Sequence, residues 1–340
     1  MDAHWKRFPP ERGGLLLPLD HGRAAAAAAL DAYAGCRPGA TLARRAATAC
    51  VRLLGPGRLP GPPEAWTPPM PAGEWDGLLA TLRREAARFD SLAVLERRQP
   101  HRAGLALLLL QRGRPAAFVK LRPRPARGLA REAEALERLE RVATHAFHAP
   151  VVLGHGSFGG WEWLALSALP GPHRAPRAPR LDEVTAEIRG ALAGLARDPG
   201  TPADWTPMHG DLTPWNLREA PGHGLLLYDW ERAGWGPPGA DEVLYRAAEA
   251  ALYGGRLPRE AGWLAARWPR AARFWAVRLR ARVPADEGER ALLAAQLGVL
   301  DPGGTTPGGE TGLLAAAGGP AGPGHDVEAE PAVPVAAGGG

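Results

Sequence analysis

The sequence of 340 residues has little of several residue types that mark particular classes of protein. Its two cysteines, Cys36 and Cys50, match neither a zinc-ligand spacing nor a disulfide framework. No apolar run approaches the roughly 20 residues of a membrane-spanning helix, and the opening stretch MDAHWKRFPPER is not a signal peptide. These absences argue against a disulfide-rich secreted protein and a membrane protein, and we expect a cytoplasmic protein with no membrane partner.

Lysine and asparagine are almost missing from the chain. Lys6 and Lys120 are the only lysines and Asn216 is the only asparagine, although the formal net charge is +5. The positive charge is therefore almost entirely arginine, and it is spread along the chain with no dense basic block interleaved with aromatic residues. This pattern favours an anionic ligand such as a nucleotide and argues against nucleic acid as a partner.

Glycine and proline are abundant, at 44 and 36 residues, and they cluster at the ends and in linkers. Residues 301–340 are mostly Gly, Pro and Ala with few large apolar side chains, so we expect a disordered tail there. Residues 1–90 carry no chemical motif. Helical propensity over 24–34, 41–54 and 75–89 predicts a helical N-terminal extension.

Residues 91–166 change to the pattern of β-strands. The apolar runs at 105–110 and 116–121 are joined by a short turn, which predicts a β-hairpin. Lys120 lies at the end of the second run. A lone lysine in an apolar strand of an arginine-rich chain suits a role that a compact ammonium fills better than a guanidinium, such as a contact with nucleotide phosphates.

A helix is predicted at residues 128–142, and one glutamate lies on its apolar face. Glu132 is three residues after Leu129 and four before Leu136, so it shares the face that these leucines define. A carboxylate on a buried face needs a partner, and Lys120 is the first candidate. Glu140 also lies near this face and is the second candidate for the same partner.

The candidate catalytic and metal-binding residues lie in the stretch 208–231, MHGDLTPWNLREAPGHGLLLYDWE. Asp211 is a carboxylate on a tight loop, where it can orient a hydroxyl group and accept its proton. Asn216 and Asp229 offer hard oxygen ligands of the kind that Mg²⁺ prefers. Phosphoryl transfer requires a positioned acceptor, metal ions that neutralise phosphate charge, and groups that hold the nucleotide.

HGDLTPWN followed by DWE resembles the catalytic loop and metal site of the aminoglycoside phosphotransferase and choline kinase superfamily of small-molecule kinases. The resemblance implies that Asp211 is the catalytic base, that Asn216 and Asp229 are magnesium ligands, and that His209 braces the loop. A Lys120–Glu132 pair would match the lysine–glutamate pair that holds the α- and β-phosphates in protein kinases.

The resemblance extends over about residues 91–298 and implies an α+β, two-lobed, protein-kinase-like fold. Residues 91–166 would form a small N-lobe with an antiparallel sheet and one helix, and residues 167–300 a larger helical C-lobe with the catalytic loop and metal site. The segment 167–171 would be the hinge between the lobes. The implied reaction is the ATP- or GTP-dependent phosphorylation of a hydroxyl group on a small molecule, with Mg²⁺ as cofactor.

The sequence departs from the kinase pattern at the phosphate-binding loop. No G-x-G-x-x-G motif separates the first two strands of the N-lobe, and His101, Arg102 and Gly104 are the nearest candidates. A non-catalytic nucleotide-binding module is therefore the alternative function. A protein kinase is less favoured, because Gly210 stands where the catalytic loop of protein kinases has an arginine.

The acceptor stays open, since fold and motif do not determine it. An aminoglycoside, an amino alcohol or a sugar all fit the pattern. The expected partners are a nucleotide and this acceptor, and nothing in the sequence points to an obligate protein partner.

Overall fold

The computed structural model describes residues 4–9, 14–32, 38–96, 104–168, 171, 173–176, 178–253, 263–284 and 286–301. His101, Arg102 and, apart from Asp301, the expected tail at 301–340 lie outside the described residues. No helix in the described ranges is long and apolar enough to cross a lipid bilayer.

The described N-terminal half is built on an eight-stranded antiparallel sheet, in the strand order β3-β1-β2-β4-β5-β6-β8-β7. The two predicted hairpin strands are present and pair as β5 and β6, with Ala106 opposite Lys120. The strands are β1 (His4–Phe8), β2 (Leu15–Pro18), β3 (Glu64–Ala65), β4 (Ser91–Glu96), β5 (Leu105–Gln111), β6 (Arg114–Pro123), β7 (Val152–Phe158) and β8 (Trp161–Ser167).

The N-terminal extension is not only helical, and this corrects the expectation for residues 1–90. Strands β1, β2 and β3 from this region continue the sheet, because β2 pairs with β4 through Leu15 opposite Leu95. Leu16 packs on one face of the sheet and Leu15 and Leu17 pack on the other. A short apolar run buried on both sides is stable as a strand only when a neighbouring strand pairs with it.

Helices cover both faces of this sheet. One face packs against α3 (Ala72–Glu85), through Leu78 and Leu82. The other face packs against α1 (Gly22–Ala32) and α2 (Pro38–Leu54). The predicted helix with Glu132 is α4 (Arg127–Val142), which contacts β7 and β8.

The C-terminal half is mostly helical, with two small two-stranded sheets. One sheet pairs β10 with β11 and the other pairs β9 with β12, and both border the stretch with the catalytic-loop motif. The α+β class predicted from the sequence is confirmed. The elements are α5 (Leu181–Ala191), β9 (Thr206–Met208), β10 (Leu217–Ala220), β11 (Gly224–Leu227), β12 (Gly234–Gly236), α6 (Ala240–Tyr253), α7 (Pro269–Arg280) and α8 (Glu287–Leu300).

The β10–β11 hairpin sets the relation between the two candidate metal ligands. Leu217 lies opposite Leu227, and the Tyr228 N–H donates to the Asn216 carbonyl at 3.2 Å. The Tyr228 hydroxyl also donates to the Trp215 carbonyl at 2.8 Å. The backbone just before β10 is therefore tied to the backbone just after β11, where Asp229 follows.

Candidate active site

Lys120 and Glu132 are in direct contact. The Lys120 Nζ lies 2.8 Å from Oε1 and 2.7 Å from Oε2 of Glu132, and the Glu132 side chain is 0% exposed. Val119 and Leu121, the neighbours of Lys120 on β6, pack into the opposite face of the sheet. Glu140, the second candidate partner, is exposed and lies near the C-terminal end of α4.

Asp229 is the second carboxylate at the Lys120 ammonium. Its Oδ1 lies 2.5 Å from Nζ, and its side chain is 29% exposed. Asp229 has a left-handed backbone, with φ 71°, just before the 3-10 helix Trp230–Arg232. The next backbone N–H, that of Trp230, donates to Glu132 Oε1 at 3.2 Å. Strand β6, helix α4 and the segment after β11 therefore meet at one point.

The charges at this point favour a protonated lysine. Burial by itself lowers the pKa of the Lys120 ammonium, but the charges of Asp229, Glu132 and Glu231 together raise that pKa above its ordinary value. Burial raises the pKa of the Glu132 carboxyl to about 7, and the Lys120 charge opposes this rise. One oxygen from each of Glu132, Asp229 and Glu231 can be chosen so that all three lie within 4.8 Å of one another. Such a carboxylate cluster is suited to cations.

Asp211 and Asn216 are held together on the loop between β9 and β10. The Asn216 Nδ2 donates to the Asp211 carbonyl at 2.9 Å and to Asp211 Oδ2 at 3.3 Å. Both side chains are largely buried, at 8% exposure for Asp211 and 4% for Asn216. Because Asn216 donates through its amide nitrogen, its amide oxygen is the atom that can bind a metal.

Asp241, at the start of α6, holds the backbone of this loop. Its Oδ2 accepts the His209 N–H at 2.7 Å and its Oδ1 accepts the Gly210 N–H at 3.1 Å. Burial raises the pKa of the Asp241 carboxyl to about 7, and the two backbone donors oppose this rise. Asp241 therefore braces the catalytic loop through two hydrogen bonds to its backbone.

Gly210 cannot be replaced without moving the loop. Its φ is +77°, and a Cβ at this position would lie 2.1 Å from the Arg232 carbonyl oxygen. We expect Gly210→Ala to lower the free energy of unfolding by about 3 kcal/mol or more, from backbone strain and the clash together. The matched control is Gly222→Ala, which has the same φ of +77° with nothing within 4 Å. Urea unfolding of both variants measures the difference, and equal destabilisation would contradict the close approach.

His209 has an assignable protonation state. Its Nδ1 accepts the Asp211 N–H at 3.1 Å, so the proton must be on Nε2, which lies 3.2 Å from the Tyr228 carbonyl. The ring also packs against Trp230, with centroids 4.4 Å apart. Burial lowers the pKa of His209 to about 4, because a second ring proton would be desolvated and would face the Asp211 N–H.

This lowered pKa predicts a loss of stability in mild acid. The neutral ring stabilises the fold fully above the ordinary pKa of about 6.5, and this contribution is lost as the pH falls from there towards 4. A shift of this size corresponds to about 3 kcal/mol. The raised pKa values of Glu132 and Asp241 affect both proteins alike, so the unfolding free energy of the unaltered protein should decrease relative to that of His209→Gln as the pH falls from 7 to 4. Equal slopes would contradict the assignment.

The structure adds residues that the sequence reasoning did not single out. Arg122 lies 3.6 Å from Glu231 and places a second cation beside the carboxylate cluster. Arg218, two residues after Asn216, is 1% exposed and donates to His173 through Nε at 3.4 Å and to the His173 carbonyl at 3.3 Å. In the sequence, the only feature that concerns Arg218 is its alternation with Leu217 on β10. That alternation predicts an exposed arginine, because charged strand residues usually face solvent.

Gly104, a candidate for the phosphate-binding loop, has a packing role in the described structure. Its φ is +131°, and a Cβ there would lie 2.4 Å from the Leu121 carbonyl oxygen. Close approach of β5 to β6 is therefore sufficient to explain this glycine.

Part of the chain matches a known family. The sequence model of the phosphotransferase enzyme family matches residues 181–248, which include Asp211, Asn216 and Asp229. Over this segment the match confirms the resemblance predicted from the catalytic-loop motif. No curated protein matches the chain in sequence.

Several solved kinases are similar to this chain, at low identity and low TM-score. An aminoglycoside-3'-phosphotransferase of type VIII is 20% identical, with 67% of this chain and 99% of that chain covered and a TM-score of 0.39. The amicoumacin kinase hAmiN, in complex with AMP-PNP, Ca²⁺ and Ami, is 11% identical over 68% and 95% of the two chains, with a TM-score of 0.42. The aminoglycoside phosphotransferase APH(3'')-Id from Streptomyces rimosus, in complex with ADP and streptomycin, is 17% identical over 58% and 90%, with a TM-score of 0.35.

Proposed function

We propose that this protein transfers the γ-phosphoryl group of ATP or GTP to a hydroxyl group of a small molecule. The observation that carries the proposal is the meeting of Lys120 Nζ with Asp229 at 2.5 Å and with Glu132 at 2.7 Å, beside a loop in which Asn216 holds Asp211. The family match over residues 181–248 supports the same reaction class. An ammonium, two candidate metal ligands and a candidate base are the parts that phosphoryl transfer requires.

Asp211 is the proposed base. Its carboxylate accepts the proton of the acceptor hydroxyl, whose oxygen forms a bond to the γ-phosphorus while the bond from that phosphorus to the β,γ-bridging oxygen breaks. The nucleoside diphosphate leaves with the electron pair of the broken bond. Asn216 orients the Asp211 carboxylate by donating to its Oδ2 at 3.3 Å.

Asn216 and Asp229 are the proposed magnesium ligands. An amide oxygen and a partly exposed carboxylate form a hard donor set, and the hairpin contact between Asn216 and Tyr228 holds the two residues in a constant relation. Bound Mg²⁺ supplies neutralisation of phosphate charge. Lys120 is the proposed phosphate contact, and Glu132 limits its movement by two hydrogen bonds.

A screen for phosphorylated product tests this function. The purified protein is incubated with Mg²⁺ and ATP or GTP and with aminoglycosides, amino alcohols and sugars in turn, and the products are detected by mass spectrometry. We expect one acceptor class to gain a phosphoryl group, and Asp211→Ala to abolish the gain. Magnesium-dependent nucleotide binding with no turnover on any acceptor would favour the non-catalytic module instead.

A further inference from the structure

Helices α1 and α2 lie on the face of the sheet that carries the Lys120 side chain. Phe118 and Lys120 are alternate residues of β6, so both side chains project from the same face. Phe118 and its cross-strand partner Leu108 pack in one cluster with alanines of α1, including Ala25 and Ala29. The helical pair therefore covers this face immediately beside Lys120.

The other end of this helical pair reaches the C-terminal half. The Asp31 carbonyl at the end of α1 lies 3.3 Å from the position of a Cβ on Gly171, in the segment that follows β8. From α2, Arg44 is buried near His173. Burial, followed by the charges of Arg218 and Arg44, lowers the pKa of His173 to about 4. Helices α1 and α2 thus extend from the sheet to the strand that begins after Asn216.

A nucleotide with its phosphates at Lys120 must place its nucleoside away from the side on which α4 lies. On that side Glu132 of α4 contacts Lys120 at 2.7 Å, and the Trp230 N–H donates to Glu132 at 3.2 Å. The nucleoside must therefore extend along the same sheet face towards Ala168 and Gly171. That is the space beside Phe118 and Gly171, where α1 and α2 are packed.

We infer that helices α1 and α2 form a gate, which in the docked position fills the space of the nucleoside and must move aside for a nucleotide to bind. This inference rests on the proposed function. The apparent nucleotide affinity is then the intrinsic affinity multiplied by the fraction of molecules in which the gate is open.

The residues between α1 and the sheet are of a kind that allows the helix to dock and undock. Helix α1 packs on the sheet through four alanines and one leucine, Leu30, and each alanine methyl group buries little apolar area. The polar contacts hold the two helices to each other instead. Asp31 accepts from Arg44 at 3.1 Å and from Arg52 at 2.7 Å, so α1 and α2 can move as one unit.

A disulfide between positions 31 and 171 locks the gate. The Asp31 Cβ lies 3.6 Å from the Cβ position of Gly171, within the range that a disulfide spans. The variant carries Asp31→Cys and Gly171→Cys, with Cys36→Ser and Cys50→Ser to remove the native thiols. Calorimetric titration with Mg²⁺ and AMP-PNP should show at least tenfold weaker binding in the oxidised form than in the reduced form. The matched control, the same background with Asp31→Cys alone, should bind equally in both redox states.

A second variant releases the gate. Ala29→Glu places a carboxylate in the apolar cluster beneath α1, where Ala29 is 1% exposed, and should tighten AMP-PNP binding several-fold. Circular dichroism establishes whether each variant is folded. If the disulfide variant does not fold, the affinity of Ala29→Glu for AMP-PNP is the test of the gate. Equal AMP-PNP affinity of the oxidised and reduced disulfide variant would overturn the gate. If that variant does not fold, an Ala29→Glu affinity no higher than that of the unaltered protein would overturn it. Failure of the unaltered protein, the reduced form and the released variant alike to bind AMP-PNP would overturn the proposed function as well.

Discussion

Asp211→Asn is expected to lower kcat by a factor of about 10² to 10⁴ and to leave the affinity for nucleotide nearly unchanged. The amide has the shape of the carboxylate but cannot accept the acceptor proton at neutral pH. Asp211 contacts Asn216 and His209 of its own loop, whereas Lys120 is held by Glu132 and Asp229. A loss of kcat with an unchanged affinity for nucleotide is therefore the result expected for a catalytic base.

The measurement combines steady-state kinetics on the acceptor found by the product screen with calorimetric titration of AMP-PNP. Asp182→Asn, at the start of α5, is a control in which an aspartate away from the catalytic loop loses its charge. It should retain normal kcat. Turnover by Asp211→Asn at the rate of the unaltered protein would show that the loop carboxylate is not the base.

Lys120→Met is expected to abolish nucleotide binding and to lower the free energy of unfolding by about 3–5 kcal/mol. Removal of the ammonium leaves Glu132, which is 0% exposed, without its ionic partner and beside the Asp229 carboxylate. Lys120→Arg should also lose binding, because a planar guanidinium cannot occupy the space of an ammonium held at 2.7 Å and 2.5 Å by two carboxylates.

Lys6 provides the matched control. It is the other lysine of the chain, it is 2% exposed, and its ammonium donates to the Gly61 carbonyl at the far edge of the sheet. Lys6→Met should destabilise the fold and leave nucleotide binding by the folded fraction intact. The double variant Lys120→Met, Glu132→Gln should recover part of the lost stability and none of the binding. Recovery of binding in the double variant would show that Lys120 has only a structural role.

The parts of the site that the sequence predicted are those whose geometry is local. Asp211 and Asn216 lie five residues apart on one loop, so their spacing alone places them together. The contact between Lys120 and Glu132 follows from one strand and the next helix, combined with the rule that a buried carboxylate needs a partner. The choice between Glu132 and Glu140 required coordinates, because both lie near the apolar face of α4 and only Glu132 is buried.

The parts that the sequence did not predict depend on distant segments. Strand β2 is stable only because Leu15 and Leu16 pair with Leu95 and Val94 of β4, far along the chain. The position of α1 over the Lys120 face has the same origin, because alanine-rich helices carry no signal for the surface on which they pack. The burial of Arg218 beneath His173 is likewise set by tertiary structure, against the usual preference of arginine for solvent.

Titration of the protein with AMP-PNP in the presence and absence of Mg²⁺, for the unaltered chain and for Asp229→Asn, tests the central claim most directly. The claim is that Lys120, Asn216 and Asp229 form one magnesium–nucleotide site. It predicts binding that requires Mg²⁺ in the unaltered protein and is lost in Asp229→Asn while the variant stays folded. Binding that is independent of Mg²⁺, or equally tight in both proteins, would contradict it.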